Sequence, residues 1–312
     1  MYSSDKILSI CIPTRGRSEI LINTLKSIYL SDVSHTLYEV VIYDSSDSPS
    51  LAPFLKTQFN VENLRYIKGE NFGYMNLIHA LKLGSGKYLK MHNDYSNFIE
   101  GSLEFMINEI KTGLPSKPFL LFSNGSLTNV GSSTQYTFND FLFNVSFYNT
   151  WSNIFGIWKT DLDTLSNLTL NPMFPHTSLL LALDKKDAYK INDNILFTNK
   201  SVLNKGGYNL FHVFANDYLG MVHDCYKSGK ITAMTFEHIK KDMYYNFFIP
   251  WYFETKILKN EYTFSLTGIK DSMKIHYSEV AYYKMVFYAY LKALKKYLKQ
   301  SKIIKFIYGY ER

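Results

Sequence analysis

Apolar residues in the first hundred positions come in short runs separated by polar turns. Four of these runs, "ILSICIP" (7–13), "YEVVIYD" (38–44), "LRYIKG" (64–69) and "KYLKM" (87–91), have the length and β-branched or aromatic content of buried strands. Between them the period changes. Leu21, Leu25 and Ile28 recur at i, i+4, i+7 and predict a helix entered through an N-cap at Ser18. Met75, Ile78 and Leu81 predict a second helix, closed by Gly84 and Gly86. Strands alternating with helices in this way predict a parallel, doubly wound α/β sheet. Ligands of such sheets bind outside the carboxyl ends of the strands. Loops 13–18, 44–48 and 92–97 would gather there, turning Thr14, Arg15, Arg17, Asp44, Ser46, Asp47, Asn93 and Asp94 toward one crevice.

Further along, the pattern is less regular. "GSLEFMINEI" (101–110) is helical and "PFLLFSNGS" (118–126) contains a strand, whereas 127–172 is rich in Thr, Ser, Asn and aromatics. "FPHTSLLLALDKKDAY" (174–189) reads as a loop entering a helix, and "GGYNLFHVFANDYLGMVHDCYKSG" (206–229) as a Gly-led loop followed by another. No internal repeat is visible. From about 278 to 300 the composition shifts to a basic amphipathic helix: Lys292, Lys295, Lys296 and Lys299 share one face, and Phe287, Leu291, Leu294 and Leu298 another. Lys302, Lys305 and the aromatic "FIYGY" extend it. Such a helix either lies in a lipid interface or packs on its own domain with a solvated lysine face; Tyr282, Tyr283, Tyr288, Tyr290 and Tyr297 add interfacial aromatics to the first alternative.

Composition narrows the classes. With 46% hydrophobic and 20% charged residues among 312, the chain is globular and long enough for one large α/β domain with an appendage. The formal charge of +7 favours an anionic partner, such as a nucleotide phosphate or acidic lipid. The two cysteines, Cys11 and Cys225, make neither a disulfide framework nor a zinc pattern, which favours a reducing, cytoplasmic setting. Neither a signal peptide nor an apolar stretch of spanning length is expected.

Three segments then carry a resemblance. "SICIPTRGRSEILINTLKSIY", "VVIYDSSDS" and "NFGYMNLIHALKLGSGKYLKMHND", in this order and spacing, resemble the opening motifs of family 2 glycosyltransferases of the GT-A fold. The bacterial O-antigen and lipooligosaccharide enzymes, abequosyltransferase-like ones among them, are the nearest in pattern. The likeness covers residues 6–100 well and 101–225 loosely. It implies a GT-A, Rossmann-like mixed sheet flanked by helices with a C-terminal helical extension. Residues 1–225 would form the glycosyltransferase domain, with 1–100 its nucleotide-binding half and 101–225 its acceptor half, and 226–312 the extension. The implied activity is inverting, hexosyl-type transfer from a nucleotide-diphosphate sugar to a hydroxyl of a growing surface glycan (O-antigen, lipooligosaccharide or capsule).

The resemblance also assigns roles. Pro13, Thr14, Arg15, Arg17, Asp44, Asn71, Asn93 and Asp94 occupy nucleotide-binding positions. Asp44 would bond base or ribose, or else form a turn with the serines that follow; Arg17 would pair with phosphate or stand in solvent. Asn71, with Asn76, suits loop and helix-start geometry as well. The D-x-D motif that binds Mg2+ or Mn2+ in the family is reduced here to Asp94, with Asn93 and Tyr95 at the flanking positions and His92 available one residue earlier. Where the family has an acidic pair as general base, this chain has "FPHTSLLL", which makes His176 the base candidate and Asp217 its alternative. Trp151, Trp158 and His212 are acceptor candidates, with core packing the competing role for both tryptophans.

The expected partners are a nucleotide-sugar donor, a glycan or lipid-linked glycan acceptor and an anionic membrane surface, at the inner face of the cytoplasmic membrane. Nucleic acid is not expected, and a homo-oligomer is compatible with the pattern. Two other classes compete: a non-catalytic nucleotide- or glycan-binding module at a membrane surface, kept open by the missing acids, and a sugar nucleotidyltransferase, opposed by the lack of Lys in "TRGRSE".

Overall fold

The computed structural model describes residues 6–127, 135–202 and 205–300. The chain divides into two compact units, one running to Ser201 and the other from Val202 onward.

In the first unit the elements follow in the order β1 (Leu8–Thr14), α1 (Ser18–Tyr29), β2 (Tyr38–Asp44), α2 (Ala52–Phe59), β3 (Leu64–Lys68), α3 (Asn76–Leu83), β4 (Tyr88–Met91), β5 (Ser96–Phe98), α4 (Ser102–Gly113) and β6 (Phe119–Phe122). Then come β7 (Gln135–Tyr136), α5 (Phe138–Val145), β8 (Gly156–Trp158), α6 (Lys159–Thr164), α7 (Pro175–Ala182), β9 (Tyr189–Asn192) and β10 (Phe197–Asn199). The main sheet has strand order β3-β2-β1-β4-β8, parallel except for β8. Every residue of β2 and β4 is buried, as continuous apolar strands of a covered parallel sheet require. A smaller sheet, β6-β9-β7, carries the strand expected near 118–126.

Local details differ from the sequence reading. The N-cap of α1 is Arg17 rather than Ser18, and no side chain caps the helix. Gly84 ends α3 with φ −66, so no left-handed cap is formed there. Gly86 serves close packing instead of a cap. A Cβ on it would lie 2.8 Å from the Leu8 carbonyl carbon and the Ser9 nitrogen. Only glycine lets the turn before β4 lie this close to β1.

The second unit contains β11 (Gly206–Asn209), α8 (Leu210–His212), α9 (Leu219–Lys227), α10 (Ala233–Asp242), α11 (Ile249–Tyr252), β12 (Thr263–Ser265), α12 (Ile269–Lys274) and α13 (Glu279–Gln300). π-helical turns at Val213–Tyr218 and Met243–Phe248 join α8 to α9 and α10 to α11, and a third at Phe253–Ile257 extends α11 toward β12. The boundary falls before this helical run and not at 225, because α9 packs on the following α10 and β11 pairs with β12. The predicted basic helix is α13, and its packing face is the one formed by Met285 and Ala289, both fully buried. Lys292 and Lys296 lie over the Phe253 ring, 5.0 and 5.8 Å from its centroid. The face expected to be the apolar one points outward instead: Phe287, Leu294 and Leu298 are exposed, together with Tyr283, Tyr290 and Tyr297. Lys302, Lys305 and the "FIYGY" segment lie outside the described residues. No helix among the described residues is long and apolar enough to cross a membrane.

Candidate active site

Thr14, Asp44 and Lys68 are the last residues of β1, β2 and β3 and are neighbours in register: Thr14 is opposite Asp44, and Asp44 opposite Lys68. Parallel pairing therefore brings residues distant in sequence to one sheet edge. Thr14, Gly16, Arg17, Ser18, Asp44, Ser46, Ser48 and Leu51 line a crevice there. A larger cavity, about 460 Å³, opens at the opposite, amino end of β4 beside Gly86 and Lys87 and contains none of these side chains.

The Asp44 carboxylate is buried. Its Oδ1 accepts from the Ser46 N–H at 2.9 Å, the predicted turn, and its Oδ2 accepts from the Tyr66 hydroxyl at 2.5 Å and from Lys68 Nζ at 3.4 Å. Burial alone would raise the carboxyl pKa, but the Tyr66 and Ser46 hydrogen bonds and the Lys68 charge outweigh it and hold the group below its ordinary value. Lys68 also donates to Ser46 Oγ at 2.9 Å and to the Ser48 carbonyl, tying the loop after β2 to β3. The sequence reading missed Tyr66 and Lys68, although their i, i+2 spacing places both on one face of β3.

At the end of β4, Asp94 is fully buried. Its Oδ2 accepts from Thr14 Oγ1 at 2.6 Å and from Arg17 Nε at 2.9 Å, and its Oδ1 is buried without a partner among the described residues. The Arg17 side chain remains 35% exposed, and its Cζ lies 5.6 Å from the Tyr95 ring centroid. Asn93 donates its backbone N–H to Asn153 Oδ1 at 2.8 Å. The fully buried Lys90 donates to the carbonyls of Met91 and Asn153, which anchors the 152–154 turn against β4; burial pushes its pKa down to about 7. Sequence pattern alone had not singled out Lys90 or Asn153.

Other sequence-chosen residues are placed as follows. Pro13 is in β1, half-buried, and Arg15 is exposed, 3.5 Å from the still more open Asp47, an ion pair of little energetic weight. Asn76 accepts from the Phe72 N–H at 2.9 Å and donates to Ser45 Oγ at 2.9 Å and to Asn71 Oδ1 at 3.1 Å. This pair builds the loop before α3, the loop and helix-start geometry weighed for both asparagines. His176 is corrected as base candidate. It sits in the first turn of α7, only 3% exposed, edge-on to Phe155, and burial lowers its pKa to about 4. A base must reach its proton, and this imidazole faces packed side chains. Trp158 is likewise corrected: it is 1% exposed and donates Nε1–H to the Pro118 carbonyl at 2.6 Å, a core residue. Trp151 is 43% exposed, edge-on to Tyr148 and two residues from Asn153. His212 and Asp217 belong to the second unit, at and within its first π-helical turn, and each lies beside Asn216, which donates to Asp217 Oδ1 at 2.9 Å.

No protein-family model matches the chain, and no curated protein matches it in sequence. Solved structures do match in fold. S. aureus TarS 1-349 superposes with TM-score 0.56 at 14% identity, covering 80% of this chain and 75% of that one. TarS 1-349 in complex with UDP-GlcNAc gives 0.53 at 13%, covering 70% and 66%. The mannosyltransferase PcManGT from Pyrobaculum calidifontis, in complex with GDP-Man and Mn2+, gives 0.53 at 15%, covering 97% and 88%. The chain spans 40% of the length of a longer TarS structure. The likeness establishes the fold: a GT-A-type α/β sheet flanked by helices, followed by a helical C-terminal region.

The Mn2+ of the mannosyltransferase complex raises the question whether the expected Mg2+ or Mn2+ fits here. No group of three His, Cys, Asp or Glu side chains among the described residues is placed to hold a metal ion. Asp94, the expected ligand, commits Oδ2 to Thr14 and Arg17, and its Oδ1 is closed off from solvent. His92 is buried, stacked on Phe98 at 4.6 Å, with Nε2 against the Ser96 carbonyl at 2.7 Å; burial, with the nearby Lys90 charge, lowers its pKa to about 3. Asn93 is neutral. These ions can be held by a single carboxylate completed by water and donor phosphates, but neither Asp94 oxygen is open to the crevice, His92 is enclosed and Asn93 is neutral, so the side chains as placed do not fit the metal.

Proposed function

We propose that this chain is an inverting glycosyltransferase that uses a nucleoside-diphosphate sugar. The observation that carries the reading is the alignment of Thr14, Asp44 and Lys68 at the ends of three parallel strands, beside the Arg17–Asp94 pair. A carboxylate held ionised, buried and oriented is suited to accept N–H or O–H groups of a base or ribose. A guanidinium at the crevice wall is suited to phosphate. The UDP-GlcNAc and GDP-Man complexes of the similar structures support the same donor class.

In the transfer, the acceptor oxygen bonds to the anomeric carbon from the face opposite the diphosphate. The bond from that carbon to the β-phosphate oxygen breaks, its electron pair stays on the phosphate, and the acceptor proton passes to a base. Trp151, exposed next to the turn that meets the end of β4, is suited to stack on a sugar of the acceptor. The acceptor class of this reading is a bacterial surface glycan, free or lipid-linked, and the working place is an anionic membrane surface. The outward aromatic face of α13 supports that placement, because its lysines and apolar residues complement anionic lipid.

Thermal-shift measurements with UDP, GDP, CDP and TDP, followed by hydrolysis of the matching nucleotide sugars, test the reading. At least one diphosphate is expected to raise the unfolding temperature, and Asp44→Asn to abolish that response. If no nucleotide binds, the proposal fails. Tight binding with no donor cleaved would instead identify a nucleotide-binding module.

A further inference from the structure

A metal-free site still has to meet the charge of the leaving group, on the glycosyltransferase reading. When the sugar–phosphate bond breaks, negative charge grows on the departing diphosphate, and a cation must stand in contact with it. A divalent ion held by carboxylates is one solution, but Asp94, the carboxylate at that position, has Oδ2 engaged and Oδ1 closed off from solvent.

The carboxylate at that position already holds a cation. Asp94 Oδ2 accepts from Arg17 Nε at 2.9 Å and from the Thr14 hydroxyl at 2.6 Å, which fixes the guanidinium from behind. No hydrogen bond of the Arg17 Nη groups is formed among the described residues, and the side chain keeps 35% of its exposure at the crevice wall. Arginine stays charged at every working pH, and its planar fork matches two phosphate oxygens at once. Arg17 is also the N-cap of the twelve-residue α1, whose first N–H groups no side chain caps, so the helix adds positive potential on the same side. One carboxylate with one guanidinium is neutral, as two carboxylates around a divalent ion are.

We propose that Arg17, locked by Asp94, replaces the divalent cation. It holds the β-phosphate of the donor and stabilises the diphosphate as it leaves, so the enzyme binds and cleaves its donor without metal.

Calorimetry on the full chain tests this with UDP, GDP, CDP and TDP, each with EDTA or with excess Mn2+, alongside the corresponding nucleosides. Donor hydrolysis is followed in parallel. Diphosphate affinity and hydrolysis are expected to change less than about twofold between EDTA and Mn2+. Arg17→Ala is expected to lower diphosphate affinity about tenfold to a hundredfold, the scale of charge-assisted hydrogen bonds, without changing nucleoside affinity. Because Arg17→Ala leaves a buried carboxylate unpaired, the double variant Arg17→Ala/Asp94→Asn keeps the fold testable and is expected to show the same selective loss. Loss of diphosphate binding in EDTA with rescue by Mn2+ overturns the proposal while leaving the glycosyltransferase reading intact. Unchanged diphosphate affinity in a folded double variant also overturns it. If neither diphosphate nor nucleoside binds under any condition, both readings fall.

Discussion

Thr14 and Asp94 stand eighty residues apart in sequence and meet at 2.6 Å, hydroxyl to carboxylate, at the ends of neighbouring parallel strands. The contact is fully buried, and with Arg17 it accounts for all hydrogen bonds to Asp94 Oδ2 among the described residues. Its removal leaves a buried oxygen underserved. Thr14→Val is therefore expected to destabilise the protein by about 1–3 kcal/mol, and Thr14→Ser by much less. Asp94→Ala, which leaves the buried Thr14 hydroxyl without its acceptor but the part-exposed Arg17 free to meet water, is expected to cost about 1–3 kcal/mol. Denaturant unfolding measures all three. A Thr14→Val protein as stable as the parent would show that this bond contributes nothing net.

The two tryptophans near the sheet separate structure from function. Trp158 fills the core between β4 and β6, edge-on to Tyr88 at 5.1 Å, and its deletion to Ala is expected to cost about 3–5 kcal/mol. Trp151 is exposed, so Trp151→Ala is expected to shift stability by less than about 0.5 kcal/mol. If it stacks on acceptor sugar, the same change lowers transfer to a glycan while hydrolysis of the donor by water continues. Equal losses of both activities would remove Trp151 from the acceptor role.

Much of the first unit was legible because buried parallel strands announce themselves as unbroken apolar runs. "ILSICIP", "YEVVIYD" and "KYLKM" are β1, β2 and β4 to within a residue or two. The helix α2 had no such signal: Leu55 is its only buried residue, and one position carries no period. Site positions at strand ends were legible for the same reason as the strands. Their chemistry was not, because hydrogen-bond partners come from register. Tyr66 and Lys68 meet Asp44 only through the β2–β3 pairing. His176 misled because a histidine opening a helix looks the same in sequence whether the helix end faces a cleft or, as here, is buried through its first two turns. In α13 the periodicity revealed a helix but could not say which of two apolar faces packs.

His92 and His176 give the fold an acid limit. Burial lowers the first to about 3 and the second to about 4 from an ordinary 6.5, so both are neutral in the folded chain throughout the range in which the unfolded chain protonates them. The unfolded state then binds more protons, and stability rises with pH across that range. Their full contribution is present above about pH 6.5 and is lost progressively as pH falls toward 4, at about 1.4 kcal/mol per pH unit for each histidine. His176→Phe, which replaces the imidazole with a ring that cannot titrate, is expected to reduce the slope of unfolding free energy between pH 6 and 4.5 by about that amount. Identical slopes for the variant and the parent would exclude His176 as a source of the acid sensitivity.

Val280, Tyr283, Phe287, Tyr290, Leu294 and Tyr297 of α13 are all exposed, and their spacing of three and four residues puts them on one stripe along the helix. Met285 and Ala289 make the opposite, packed face. A stripe this regular also suits pairing with a second copy, but charge argues otherwise. After Glu279, which is held by Lys270 and Lys274, the helix has no acid and carries Lys284 and Lys295 beside the stripe, so two copies would bring lysine near lysine with no acid to pair it. An anionic bilayer accepts both the aromatics and the lysines. Phe287→Ser/Tyr290→Ser is therefore expected to reduce co-sedimentation with phosphatidylserine-containing vesicles at least about tenfold, since each buried aromatic contributes on the order of 1.5–3 kcal/mol. Lys284→Gln/Lys295→Gln is expected to weaken binding to anionic vesicles by about 1 kcal/mol per lysine, with little effect on neutral ones and a loss that added salt reproduces. If the aromatic variant sediments with vesicles as fully as the parent, the stripe is not the lipid contact. If the parent is a dimer in solution and the aromatic variant a monomer, the stripe pairs with a second copy and the membrane assignment is wrong.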